Sequence, residues 1–110
     1  MDRRQFIGAA GAGIALTHLN GWAQDSYPAR PVKLIVPFPP GGPTDVMGRT
    51  AAKAMGDVLG QSFVVENKAG AAGNIGTDAV AKAAPDGHTI GLSAISSLAI
   101  APHLMASVPF

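Results

Sequence analysis

The apolar positions change their spacing along the chain, and these changes predict alternating strands and helices. Five consecutive residues at Val32–Val36 are mostly aliphatic and β-branched, which predicts a buried strand. From Met47 onward the apolar residues recur at helical spacing, which predicts an amphipathic helix that ends near Leu59. The inward stripe of this helix is predicted at Met47, Ala51, Ala54, Met55, Val58 and Leu59.

The same alternation then repeats further along the chain. Phe63–Glu66 predicts a second strand, Ile75–Ala84 a second helix and Thr89–Ser93 a third strand. Strand starts at positions 32, 63 and 89 have the spacing of βαβ units, whose right-handed crossovers make the strands parallel. The sequence therefore predicts an α/β fold with parallel strands, for which a flavodoxin-like strand order of 2-1-3 is expected by analogy, since the sequence alone does not fix the order. Beyond the third strand a short helix is predicted, kinked or restarted at Pro102.

Turn and capping residues set the expected ends of these elements. Thr44 or Asp45 is predicted to cap the first helix at its N-terminus, and Asn74 to cap the second. Gly60 follows the first helix where a left-handed C-terminal cap is expected. Asp78 and Lys82 stand four residues apart, which predicts an ion pair on the second helix.

The first 23 residues have the pattern of an export signal. Arginines at positions 3 and 4 precede a mildly apolar run, Phe6–Leu19, of 14 residues. That run is shorter than the roughly 20 residues needed to span a membrane. Small residues at positions 21 and 23 predict cleavage before Gln24. Paired arginines resemble a twin-arginine signal, with the general secretory route as the alternative; an amphipathic helix is disfavoured by the glycines in the run.

Composition excludes several classes of protein. The chain is 47% hydrophobic and 14% charged, with no cysteine, which argues against a disordered tail, a disulfide scaffold and a cysteine zinc site. A net charge of +1 gives no basic field for nucleic acid. His88 and His103 are far apart, and no nucleophile with a base or pair of carboxylates stands out. No metal, cofactor or enzymatic activity is expected.

Candidate chemistry collects in the loops that follow the three strands. The loops 37–44, 67–73 and 94–97 should meet at one edge of a parallel sheet, the usual binding site of such folds. Two of them lead into helix N-termini, where unpaired N–H groups favour an anion. Glycines at 41, 42, 70 and 73 leave the backbone open, and neither glycine-rich loop contains an arginine. The pattern suits a carboxylate held by backbone and hydroxyl groups, with Lys68 the nearby cation.

Other interpretations remain open for these loops. The glycines can form tight turns only, Asp45 can act as a helix cap only, and the serines at 93, 96 and 97 can cap the next helix. The glycines from Gly70 to Gly76 are spaced GxxGxxG, which departs from the dinucleotide fingerprint. An α/β enzyme lobe that binds a nucleotide or phosphate at these loops is the alternative function.

Three segments carry a family resemblance. Val32–Asp45 (VKLIVPFPPGGPTD), Val65–Gly76 (VENKAGAAGNIG) and Ala84–Thr89 (APDGHT) resemble motifs of the extracytoplasmic solute receptors of tripartite tricarboxylate transporters, the Bug receptors. The segments occur in the family's order, and the resemblance covers about residues 27–110. Ala69 and Ala72 stand where proline and glycine are common in the family.

The resemblance implies a fold, a ligand and partners. It implies a periplasmic binding protein of type II with two α/β lobes, which binds a small carboxylate and delivers it to two integral membrane subunits. Family chains are much longer, so residues 24–110 are expected to be an incomplete first lobe and the chain a fragment. The ligand-binding residues carried over from the family are Phe38, Gly41, Gly42, Thr44, Asp45, Ala72, Gly73, Asn74, Ser93 and Ala94.

Overall fold

A computed structural model describes residues 26–110. The expected signal peptide and its cleavage site lie outside the described residues. The described elements, in chain order, are β1 Val32–Val36, α1 Pro43–Leu59, β2 Phe63–Asn67, a 3-10 turn Ala71–Gly73, α2 Asn74–Ala81, β3 Thr89–Gly91, a π-helical turn Ser96–Ile100 and α3 Ala101–Leu104.

The three strands form a parallel sheet in the order β2-β1-β3, which confirms the predicted topology. Val32, Leu34 and Val36 of the central strand are buried on one face, and α1 packs over this face. The other face is covered by α2, since Val80 lies so close to Gly91 that a Cβ there would be 2.5 Å from its Cγ2. Each face of the central strand thus has its own helix.

The buried face of α1 differs from the predicted stripe. Asp45, Gly48 and Ala52 are buried, whereas Met47 and Val58 are 68% and 82% exposed. The stripe prediction was therefore wrong in its choice of residues. The physical reason is the close approach of helix and sheet, because a Cβ on residue 48 would lie 2.8 Å from Val36 Cγ2. The nearest face of the helix must carry its smallest residues.

The predicted N-terminal caps were also wrong. Gly42 is the N-cap of α1 and Gly73 that of α2, and neither helix has a side-chain cap. Pro43 occupies the first turn of α1, where its missing N–H costs no helical hydrogen bond. The left-handed cap at Gly60 is confirmed, with φ of 70°.

The remaining elements follow the prediction, with bounds that differ by one to three residues. β3 pairs with β1 only as far as Gly91, and α2 ends at Ala81 rather than Ala84. The pair between Lys82 Nζ and Asp78 is confirmed at 2.7 Å. A helix restarts at Ala101 with Pro102 in its first turn, as predicted. Within residues 26–110, no helix combines the length and apolar character needed to cross a membrane.

Candidate functional site

The loops that follow the three strands meet at one edge of the sheet. Asn67, at the end of β2, donates from Nδ2 to the carbonyl oxygen of Phe38 at 3.0 Å, which joins the first two loops. Ser96 Oγ donates to the carbonyl oxygen of Ala72 at 2.9 Å, which joins the second and third. Gly73 is buried between them, since a Cβ there would lie 3.7 Å from Phe38 Cζ. The predicted convergence of the loops is confirmed.

Asp45 organises the first loop through hydrogen bonds. Its carboxylate is almost fully buried, and Oδ2 accepts from the Gly41 N–H and from Arg49 Nε, both at 2.9 Å. Oδ1 accepts from Asn67 Nδ2 at 2.9 Å. Both oxygens therefore have protein partners, and the carboxylate ties the glycine turn to α1 and to the end of β2.

These contacts set the charge state of Asp45. Hydrogen bonds from Arg49, the Gly41 N–H and Asn67 lower the pKa of Asp45 to about 2, so it is an anion at neutral pH. The N-terminal end of α1 consequently already carries one internal carboxylate. Any external carboxylate that binds at this edge must share the space with that negative charge.

The second loop has an unusual backbone. Gly70, Ala71, Ala72 and Gly73 all have positive φ, with 48° at Ala71 and 55° at Ala72. Left-handed backbone is disfavoured for residues with a Cβ, and such strain is concentrated at functional sites. Both alanines are exposed, and outside the turn their N–H groups make no backbone hydrogen bond among the described residues. The N–H groups of these two alanines are therefore candidate donors for a ligand at this edge of the sheet.

Replacement of Ala72 by glycine is expected to stabilise the protein. An alanine with left-handed backbone costs roughly 1–2 kcal/mol, a strain that glycine avoids. Part of this gain is lost, because glycine has a larger conformational entropy in the unfolded chain. We expect Ala72→Gly to raise the free energy of unfolding by about 0.5–1 kcal/mol in urea titrations. Ala51→Gly, in the middle of α1, is the control and should lower it by about 1 kcal/mol. Equal losses in both variants would contradict strain at position 72.

The third loop is held by serine hydroxyl groups. Ser97 is fully buried, donates from Oγ to the carbonyl oxygen of Ala94 at 3.1 Å and lies 3.2 Å from Thr77 Oγ1. Ser93 is exposed at the end of the strand. The hydroxyl groups at 96 and 97 thus bind carbonyl oxygens of the loops, rather than capping the next helix.

A mainly apolar cavity of about 450 Å³ adjoins the second and third loops. Asn74 is 3% exposed and lines it, with Nδ2 3.3 Å from Met105 Sδ. Its Oδ1 atom makes no hydrogen bond within residues 26–110, although it is buried. The other lining residues are Ala71, Ala72, Ser96, Ile100, Ala101, Leu104 and Met105. The cavity has room for a hydrocarbon group, with one polar contact at its wall.

The ten residues carried over from the resemblance lie around this edge. The first loop and the start of α1 contain Phe38, Gly41, Gly42, Thr44 and Asp45; the other two loops contain Ala72, Gly73, Ser93 and Ala94, and Asn74 begins α2. Their contact with a ligand stays a prediction. Among the described residues, no group of three or more histidine, aspartate or glutamate side chains is placed to hold a metal ion.

Arg49 and Asn67 lie at this edge and were not predicted from the sequence as residues of the site. Arg49 donates from Nε to Asp45 Oδ2, and its Nη2 atom donates to Asn67 Oδ1 at 3.3 Å. The spacing of four residues from Asp45 to Arg49 was the available signal. Lys68, the expected cation, pairs instead with Glu66 at 3.0 Å. Hydrogen bonds from Lys33 and Lys68 lower the pKa of Glu66.

A family model and the curated relatives of this chain point to the same family. The model of the tripartite tricarboxylate transporter family receptor matches residues 47–110. Protein BugT of Bordetella pertussis (strain Tohama I) is 52% identical over 106 residues, which are 96% of this chain and 31% of BugT. The chain thus spans less than a third of the length of that relative.

Solved structures agree with this result. MatC from Rhodopseudomonas palustris, solved with bound malate, is 38% identical with a TM-score of 0.72, over 76% of this chain and 29% of MatC. R. palustris Rpa4515, solved with adipate, is 41% identical with a TM-score of 0.62, over 64% of this chain and 23% of its own. The family model covers more than half of the chain, and the three segments that carry the resemblance lie within the part of the chain that the structure describes. The chain belongs to the receptor family of the tripartite tricarboxylate transporters, the Bug receptors.

Proposed function

We propose that the protein is a periplasmic receptor for a small carboxylate, which it supplies to the membrane subunits of a tripartite tricarboxylate transporter. The observation that carries the proposal is the left-handed turn Gly70–Gly73 at the edge where the three loops meet, in which the N–H groups of Ala71 and Ala72 make no backbone hydrogen bond outside the turn among the described residues. Malate in MatC and adipate in Rpa4515 support a carboxylate as the ligand. Membership of a receptor family supports transport rather than catalysis.

The ligand contacts in this proposal come from backbone and small side chains. The N–H groups of Ala71 and Ala72 donate to the carboxylate, and the cavity beside Asn74 accepts part of the carbon skeleton. Phe38 and Ser93 border the same edge. The remaining contacts are proposed at Gly41, Gly42, Thr44, Asp45, Gly73 and Ala94.

The proposal also includes export of the protein to the periplasm. Residues 1–23 act as a twin-arginine-like signal, and residues 24–110 contribute to the first of two lobes of the receptor. N-terminal sequencing of periplasmic protein tests the export step, because it should find Gln24 at the start. An intact Met1 on a cytoplasmic product would rule out this form of export.

A residue-resolved titration tests the binding function. In ¹⁵N-labelled protein that starts at Gln24, malate and adipate should shift the amide signals of residues 71–74 saturably, at constant ionic strength. Because the described loops are open to solvent on one side, we expect a Kd on the order of millimolar, equivalent to roughly 4 kcal/mol. ATP is the control, since a nucleotide site would prefer it. Shifts with ATP alone, or none with either carboxylate, would reject the proposal.

A further inference from the structure

A glycine turn leads into the N-terminal end of α1, and the buried, negatively charged carboxylate of Asp45 lies in the first turn of this helix. Asp45 lies in the first turn of the helix and accepts the Gly41 N–H, so this carboxylate already takes a donor that an external anion would otherwise meet. Its side chain is 4% exposed. An uncompensated carboxylate here would repel a second carboxylate at the same edge of the sheet.

Arg49 is the compensating charge at this position. It follows Asp45 by one helical turn and donates from Nε to Oδ2 at 2.9 Å, while its NH2 group reaches Asn67 Oδ1 at 3.3 Å. Asn67 in turn donates to Asp45 Oδ1 and to the Phe38 carbonyl oxygen. The guanidinium group of Arg49 therefore binds both Asp45 and Asn67, and it compensates the negative charge of Asp45.

We propose that Arg49 is a positioning residue for the carboxylate site, which keeps Asp45 on the Gly41 N–H and cancels its charge toward an incoming anion. This role rests on the proposed function, because it concerns the binding of a carboxylate at the same loops. Arg49 needs no contact with the ligand to act in this way. Its side chain is 55% exposed, so the compensation is subject to screening by salt.

The test compares charge variants by NMR titration with malate. At low ionic strength Arg49→Met should weaken malate binding by roughly tenfold, since it leaves Asp45 uncompensated. The loss should shrink in 0.5 M sodium chloride, because salt screens repulsion but does not rebuild a displaced loop. In the double variant Asp45→Asn/Arg49→Met the repulsion is absent, so malate should bind more tightly than to Arg49→Met at low ionic strength, and the affinity should depend less on salt than in that single variant.

Lys53→Met is the matched control. Lys53 pairs with Asp57 at 2.7 Å, also four residues apart on α1, but the pair is exposed and away from the loops. The substitution Lys53→Met removes one positive charge from the same helix and should change the affinity for malate less than twofold at low salt. Equal effects of Arg49→Met and Lys53→Met would reduce the role of Arg49 to net charge alone and overturn the proposal.

A second measurement does not need a ligand. Hydrogen exchange of the Gly41 amide should accelerate in Arg49→Met and stay unchanged in Lys53→Met, because only the first releases Asp45.

The possible outcomes separate the inference from the proposed function. If Arg49→Met binds malate as tightly as the wild type and its Gly41 amide exchanges at the same rate, the inference is overturned and the proposed function still stands. A double variant that binds more weakly than both single variants, independently of salt, would overturn the charge role. Absence of malate shifts in the wild type would instead count against the proposed function.

Discussion

Replacement of Gly76 by alanine is expected to destabilise the protein strongly, although alanine is the better helix former. A Cβ at this position of α2 would lie 2.7 Å from Pro37 Cβ, 2.8 Å from Pro37 Cα and 3.0 Å from the Lys68 carbonyl oxygen. Two of these three atoms are backbone and cannot turn away. Because two of the contacts are with backbone atoms, overpacking here should cost about 2–3 kcal/mol, and the helix-propensity gain of about 1 kcal/mol offsets only part of this cost. We expect a net loss of about 1–2 kcal/mol in urea unfolding followed by circular dichroism.

The effect should extend to the candidate site. Gly76 is buried where α2 meets both the first and second loops, so a displaced helix also moves the turn that ends at Gly73. Malate-induced shifts of residues 71–74 should therefore weaken in Gly76→Ala. Gly56→Ala, in α1, is the matched control, because its Cβ would meet one atom, the Gln61 carbonyl oxygen, at 3.1 Å. A stability of Gly76→Ala equal to that of Gly56→Ala would show that helix and loop can separate at no cost.

The parallel pairing of the strands and the meeting of the three loops could be predicted from local signals. The aliphatic run at Val32–Val36 has the bounds of the observed strand, and the spacing of the strand starts predicted that the strands are parallel. Glycine-rich loops after two of these strands then had to meet, because parallel strands end at one edge. These features depend on residue type and spacing along the chain, which the sequence contains directly.

The packing of α1 could not be predicted in the same way. A hydrophobic stripe ranks residues by apolar size and therefore favours Met47 and Val58. The distance between helix and sheet instead makes Gly48 the point of closest approach, and that distance depends on the opposite partner, Val36. Helical spacing shows which residues share a face, but not which face comes nearest the sheet.

The polar network escaped prediction for a related reason. Asn67 reaches the first loop because the register pairs it with Val36, the last residue of β1. A shift of one residue would turn its side chain to the other face of the sheet. Contacts from Asn67 to Asp45, 22 residues earlier, therefore exist only after strand pairing. A pattern within one element cannot indicate them.

The network around Asp45 should make the protein sensitive to acid. The pKa of Asp45 is about 2 in the folded protein, against an ordinary value of 3.8. Between these values the unfolded chain binds a proton that the folded chain does not, so folding loses stability as the pH falls. The contribution of Asp45 is therefore complete above about pH 4 and is lost towards pH 2. Glu66 and Asp86 also have lowered pKa values, which adds a shared acid dependence.

Asp45→Asn isolates the part that belongs to this carboxylate. At pH 7 the variant should be less stable, because an amide presents a donor towards Arg49 or Asn67, where the carboxylate accepts from both. Urea unfolding at pH 7, 4, 3 and 2 should show the difference between wild type and variant narrowing below pH 4. Asp57→Asn removes a carboxylate from an exposed pair on the same helix and should remain near the wild type at neutral pH. A constant difference between Asp45→Asn and wild type down to pH 2 would mean that hydrogen-bond geometry, and not the charge of Asp45, holds the first loop in place.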